Sequence, residues 1–137
     1  YLDLFTSKFK QSERVKRVLK IPDLLISKNP TFTNIREASV RTQSDIVVIY
    51  STNSDLYSKY KLFSKSDIKA FATTQLIILD TRTGLIPFST IVTKEFQSKR
   101  QENELNNNEA TNRIKDKAIL LTIEEIGQRI NRFLKNE

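Results

Sequence analysis

AFATTQLIILDTRTGLIPFSTIVTKEF, residues 70–96, is the stretch whose reading decides the fold. Phe71, Thr73, Gln75, Ile77 and Leu79 fall on one side of an extended chain and Ala72, Leu76 and Ile78 on the other, since successive strand side chains point to opposite faces. Asp80-Thr81-Arg82-Thr83-Gly84 then turns the chain, and Gly84 takes the positive φ of a short hairpin loop without a steric penalty. Residues 85–96 return as the second arm. Pro87 has no N–H to give to a ladder, which makes the returning strand a candidate edge.

On the N-terminal side, Asp45-Ile46-Val47-Val48-Ile49-Tyr50 is β-branched and almost continuously apolar, the mark of a strand covered on both faces, and a central position is expected for it. Residues 51–55 read as a turn. Residues 56–63 read as a further, half-exposed strand, with Tyr60 and Leu62 opposite Lys59, Lys61 and Phe63. Before these, Val15, Arg17, Leu19 and Ile21 alternate with Lys16, Val18 and Lys20 up to Pro22, which predicts a first strand. A short helix follows the turn cluster Lys28-Asn29-Pro30, with Thr33 or Asn34 as its N-cap, Asn34 and Glu37 at capping-box spacing, and an end near Gln43.

On the C-terminal side, residues 97–112 are polar and predict a loop before the last helix. From about Asn112 the period becomes that of a helix: Ile119, Ile123, Ile126, Ile130 and Phe133 make one apolar stripe. Arg129, Arg132 and Lys135 favour its C-terminal dipole end. Gly127 lies beside the stripe. The reading is one α/β domain of the α+β type over residues 1–137. It has a mixed, mostly antiparallel sheet of four or five strands and two helices packed on one face.

A chain of 137 residues, 38% hydrophobic and 28% charged, has the length and apolar content of one soluble domain. Its longest apolar runs, residues 46–50 and 76–79, are far shorter than the roughly 20 residues that span a bilayer. The net charge of +7 is uneven. Lys8, Lys10, Arg14, Lys16, Arg17 and Lys20 stand against only Asp3 and Glu13 in the opening stretch, and residues 1–14 read as a basic N-terminal arm. Such an arm suits nucleic acid, anionic lipid or an acidic partner, or serves as a solubilising surface.

The composition excludes much chemistry. With no cysteine and no histidine there is no disulfide framework, no thiolate nucleophile, no zinc–thiolate site and no imidazole base. Gly84 and Gly127 are the only glycines, so neither a dinucleotide-binding turn, a phosphate loop nor a G-x-S-x-G elbow can be drawn. Glu124 and Glu125 are helix neighbours and diverge rather than converge on one substrate. Asp45 and Asp80 each bring an oxygen that a hard cation accepts. Aspartate at strand ends and turns ordinarily satisfies backbone N–H groups instead. No catalytic residue, cofactor or metal is expected, and the chain reads as a non-enzyme.

Tyr57, Lys59, Tyr60, Lys61 and Phe63 interleave aromatic and basic side chains, the combination that single-stranded nucleic-acid grooves use for stacking and phosphate neutralisation. They are the candidate partner-binding residues. The same alternation also suits a core edge whose lysines protect an exposed strand.

The order of a short helix leading into Gln43-Ser44-Asp45 and a hydrophobic strand, then Leu79-Asp80-Thr81-Arg82-Thr83-Gly84 before a return strand, resembles periplasmic α/β domains of bacterial envelope lipoproteins. These are the domains of the curli-secretion lipoprotein and of the amino-terminal part of the translocation protein TolB. The resemblance covers about residues 33–96 and departs at Ser44, where a small alanine is usual. It implies a domain that binds protein partners through sheet edges, loops and helices and has no catalytic residues. The expected function is therefore that of a non-enzymatic cell-envelope lipoprotein domain acting through protein–protein contacts. Its expected place is the periplasm, with outer-membrane attachment through a lipid anchor upstream of Tyr1. The alternative is a single-stranded nucleic-acid-binding module built on the basic arm and the aromatic and lysine strand.

Overall fold

In a computed structural model of the chain, residues 1–59, 67–99 and 107–136 are described. The element order is α1 (Leu2–Lys10), a 3₁₀ turn (Asp23–Leu25), α2 (Phe32–Arg41), β1 (Ile46–Lys59), β2 (Asp67–Asp80), β3 (Phe88–Lys99) and α3 (Asn107–Lys135). The strands form one antiparallel sheet in the order β1-β2-β3. The fold class is α+β, and the sheet has three strands among the described residues, not four or five.

The hairpin forms around Gly84 as the alternation predicts, with its returning strand at Phe88–Lys99 and not at residues 85–96. Ile68, Ala70, Ala72, Thr74, Leu76 and Ile78 of β2 are buried, and the odd-numbered Lys69, Phe71, Thr73, Gln75 and Ile77 are half-buried or exposed. The chain divides into two compact units, each described by itself. One comprises Tyr1–Tyr50, Leu76–Thr90 and Arg129–Glu137; the other comprises Ser51–Gln75 and Ile91–Gln128.

In the first unit both faces of the strands are covered. The last turns of α3 meet the even-numbered side of β3: Phe133 packs on Phe88 with ring centroids 4.9 Å apart, and Arg129 Nη1 donates to Thr90 Oγ1 over 2.6 Å. Phe5 of α1 lies 4.4 Å from the Tyr50 ring of β1. The odd-numbered Val47, Leu79 and Thr81 are buried as well, and the Ser39 hydroxyl of α2 lies 2.6 Å from that of Thr81. Helices thus cover both faces here, which corrects the expectation of two helices on one. It also explains the unbroken apolar run of β1. That run reports cover above and below the strand; β1 itself is an outer strand of the sheet, not a central one.

Residues 1–14, read as a basic arm, contain α1, whose Phe5 and Phe9 are buried four residues apart. Arg14 Nη1 donates to the Leu134 carbonyl over 2.9 Å and so satisfies one of the open acceptors at the end of α3. The strand expected at residues 15–21 does not form; that segment has no regular structure. Val15, Val18 and Ile21 are half-buried there.

In the second unit α3 packs its stripe against the even-numbered side of the strands. Ala110, Ile114, Ala118, Ile119, Ile123 and Ile126 are all buried, and each large side chain so removed from water contributes about 1.5–3 kcal/mol. Gly127 is buried too. The turn expected at residues 51–55 is absent, because β1 continues through it as strand. Ser51, Asn53 and Asp55 are polar because they face solvent, and between them the Thr52 hydroxyl reaches that of Thr74 over 2.8 Å. Of the loop expected at 97–112, residues 97–99 belong to β3 and residues 107–112 to α3, and residues 100–106 lie outside the described residues.

Candidate docking surface at the hairpin loop

The most heavily specified local geometry lies in the first unit, where α2 holds the loop between β2 and β3. Helix α2 starts at a capping box three residues earlier than the spacing of Asn34 and Glu37 predicts. Thr31 Oγ1 accepts from Asn34 N, and Asn34 Oδ1 accepts from Thr31 N, each at 3.2 Å. The helix ends in a Schellman motif: Ser44 N donates to Ser39 O and Gln43 N to Val40 O, both at 3.0 Å. Gln43 occupies the left-handed position at φ 57°, which glycine usually fills. The chain is thereby reversed into β1, and Asp45 O accepts from Thr81 N at 3.1 Å.

Between these ends the Arg36 side chain clasps the loop. Its Nε donates to Thr81 O over 2.7 Å and its Nη2 to Arg82 O over 2.6 Å. A charged donor of this kind makes stronger bonds than a neutral one. Asp80 closes the loop from the other side, accepting from Arg82 N at 2.9 Å and Thr83 N at 3.2 Å through Oδ1. Gly84 N donates to Asp80 O, and Asp80 N to Leu85 O, each over 2.8 Å. Gly84 sits at φ +75°, and a Cβ placed there would come within 2.9 Å of Arg36 Nη1.

The loop is therefore fixed at its base. Its far side is apolar: Leu85 is 68% exposed, Ile86 is 44% exposed, and Pro87 is exposed beside them. Val40, also exposed, belongs to a shallow groove on α2 lined with Thr33, Arg36, Glu37 and Arg41. A rigid scaffold holding exposed apolar side chains on a loop is the arrangement by which proteins present binding residues. Ordered in advance, such residues cost little entropy on association.

Of the residues singled out from the sequence, Tyr57 and Lys59 lie in the last turnings of β1, and Tyr60, Lys61 and Phe63 lie outside the described residues. Asp80 is occupied by the loop amides. Among the described residues no group of three acidic side chains is placed to hold a metal ion, and no helix is long and apolar enough to cross a membrane. In the second unit the odd-numbered side of β2 and β3 carries Phe71 and Ile91, the latter 63% exposed. Around them Thr73 and Thr93 hydroxyls meet at 2.9 Å, and Lys69 pairs with Glu95 at 3.2 Å.

Sequence reasoning identified the loop but not its hold on α2. The sequence reads Arg36, with Glu37 and Arg41, as a wet residue beside the inward-facing Ile35 and Ala38, whereas its guanidinium is spent on the carbonyls of Thr81 and Arg82. Compared with known proteins, the chain matches no family model, no curated protein and no solved structure.

Proposed function

We propose that this chain is a non-enzymatic domain of a bacterial cell-envelope lipoprotein, held in the periplasm by an outer-membrane anchor, and that it acts by docking a protein partner on the β2–β3 loop. The observation that carries this reading is the combination of a clasped loop base with exposed Leu85 and Ile86. Aliphatic side chains exposed on a loop that Arg36 clasps favour a partner surface that offers an apolar pocket with a polar rim. A reaction centre needs convergent polar groups, and the loop spends its polar groups on itself.

The test is a photo-crosslinkable amino acid at position 85, and a second at position 91 as comparison, in cells of the source organism followed by fractionation. The expected result is a discrete adduct from position 85 in the envelope fraction and none from position 91. An adduct confined to position 91, or a protein found only in the cytosolic fraction, would contradict the proposal.

A further inference from the structure

Charge and exposed apolar side chains are shared unequally between the two units. The first unit holds thirteen Lys and Arg against seven Asp and Glu, a balance of +6 out of the chain's +7. Among the described residues it also carries most of the exposed large apolar side chains, Leu19, Leu24, Leu25, Phe32, Leu85 and Ile86 among them. The two properties coincide most closely in residues 16–28. Lys16, Arg17, Lys20 and Lys28 are exposed there, with Asp23 as the only acid, and Leu19, Leu24 and Leu25 are exposed between them.

Leu24 is 99% exposed, on a turn whose backbone is closed by Leu25 N to Pro22 O at 2.9 Å and Ile26 N to Asp23 O at 3.2 Å. A leucine held fully in water on an ordered turn has an unfavourable environment that only burial relieves.

We infer that residues 16–28 seat this unit on an anionic bilayer surface, Leu24 entering the acyl boundary while Lys16, Arg17, Lys20 and Lys28 meet lipid phosphates. Charge complementarity and an inserted apolar side chain are the two contributions by which peripheral segments bind membranes, each weak alone. The segment contains no aromatic ring on which a nucleic-acid base could stack, and leucine gains nothing from a phosphate backbone. An anionic bilayer uses both features of the segment; an oligonucleotide uses only the charge. The inference is independent of docking at the β2–β3 loop.

The chain has no tryptophan, so the L24W variant carries a single reporter at the proposed point of insertion. The 137-residue chain is titrated with vesicles of phosphatidylcholine alone and of phosphatidylcholine mixed with phosphatidylglycerol. Binding is expected to the mixed vesicles only, with a blue shift of the L24W emission and a loss on raising the salt concentration. Leu24→Asp, at a position with no packing to lose, is expected to weaken partitioning about tenfold or more. Lys16→Glu with Lys20→Glu is expected to weaken it by a further order of magnitude or so. Leu85→Asp is expected to leave it unchanged, which separates this inference from the loop proposal. Absence of vesicle binding at low salt, an unshifted L24W emission, or equal binding of wild type and Leu24→Asp to a single-stranded oligonucleotide in place of vesicles would overturn it.

Discussion

Thr74 donates its hydroxyl to Thr122 Oγ1 across 2.7 Å, joining the middle of β2 to α3 at a point where both residues are wholly buried. The direction follows from the next bond: Thr122 gives its own proton to Ile119 O over 2.6 Å, so toward Thr74 it can only accept. Thr74 in turn accepts from Thr52 at 2.8 Å. The three hydroxyls form a one-way chain from the outer strand into the helix.

This chain predicts a specific non-additivity. Replacing Thr122 by Val leaves Thr74 free to turn its proton toward Thr52, at a cost of about 1 kcal/mol. Replacing Thr52 by Val costs a similar amount. Replacing both strands the Thr74 hydroxyl in the core, and the double variant is expected to lose about 1–3 kcal/mol beyond the sum of the singles. Urea unfolding of the four proteins measures this, and strict additivity would contradict the relay.

The clasp predicts that Gly84 and Arg36 act together. Gly84→Ala places a methyl group within 2.9 Å of Arg36 Nη1 and puts a non-glycine residue at φ +75°, for a cost of about 1–2 kcal/mol from the backbone. In an Arg36→Ala background the steric part vanishes and the backbone part remains. The cost of Gly84→Ala, read from thermal or urea unfolding, should therefore be smaller there than in the wild type.

Gln43 predicts a gain. It occupies the left-handed position of a Schellman motif with a side chain that is exposed. Gln43→Gly relieves the strain and adds unfolded-state entropy, for a net stabilisation of about 0.5–1 kcal/mol. A thermal scan should show the midpoint rise by roughly 2–5 °C. An unchanged or lowered midpoint would show that the Gln43 side chain has a role that its exposure conceals.

Stability should divide along the two faces of the sheet. Ile126→Ala, in the buried stripe of α3, is expected to cost about 2–5 kcal/mol. Ile91→Ala, on the exposed side of β3, is expected to lie within about 0.5 kcal/mol of wild type. Comparable losses at the two positions, measured by urea unfolding, would mean that the exposed side is covered in the folded protein.

What was legible in the sequence was what one period dominates. The strand alternation around Gly84 and the isoleucine stripe of α3 each answer to a single buried face, and both formed, the returning strand three residues later than read. The failures occurred where two causes overlap. The apolar run at residues 46–50 looked central because strand neighbours and covering helices both demand apolar side chains, and here the helices supplied the demand. Residues 51–55 looked like a turn because a strand with one wet face and threonine hydroxyls on the other reads as polar throughout. Helix α1 was hidden by its charge: Phe5 and Phe9 have helical spacing, with Asp3 in the first turn and Lys8 and Lys10 in the last, but the lysines drew the reading toward a basic arm. The clasped β2–β3 turn was legible only as a loop, since Arg36 and Thr81 are 45 residues apart and nothing local joins them.

Docking of a protein partner on the β2–β3 loop is the central proposal. The most direct measurement is a titration of the partner captured from position 85 against wild type, Leu85→Asp, Arg36→Ala and Leu24→Asp. The account predicts that Leu85→Asp loses about thirtyfold or more in affinity. It predicts that Arg36→Ala, which frees the loop without touching its tip, loses an intermediate amount, and that Leu24→Asp binds as wild type does. An affinity indifferent to Leu85→Asp would contradict it.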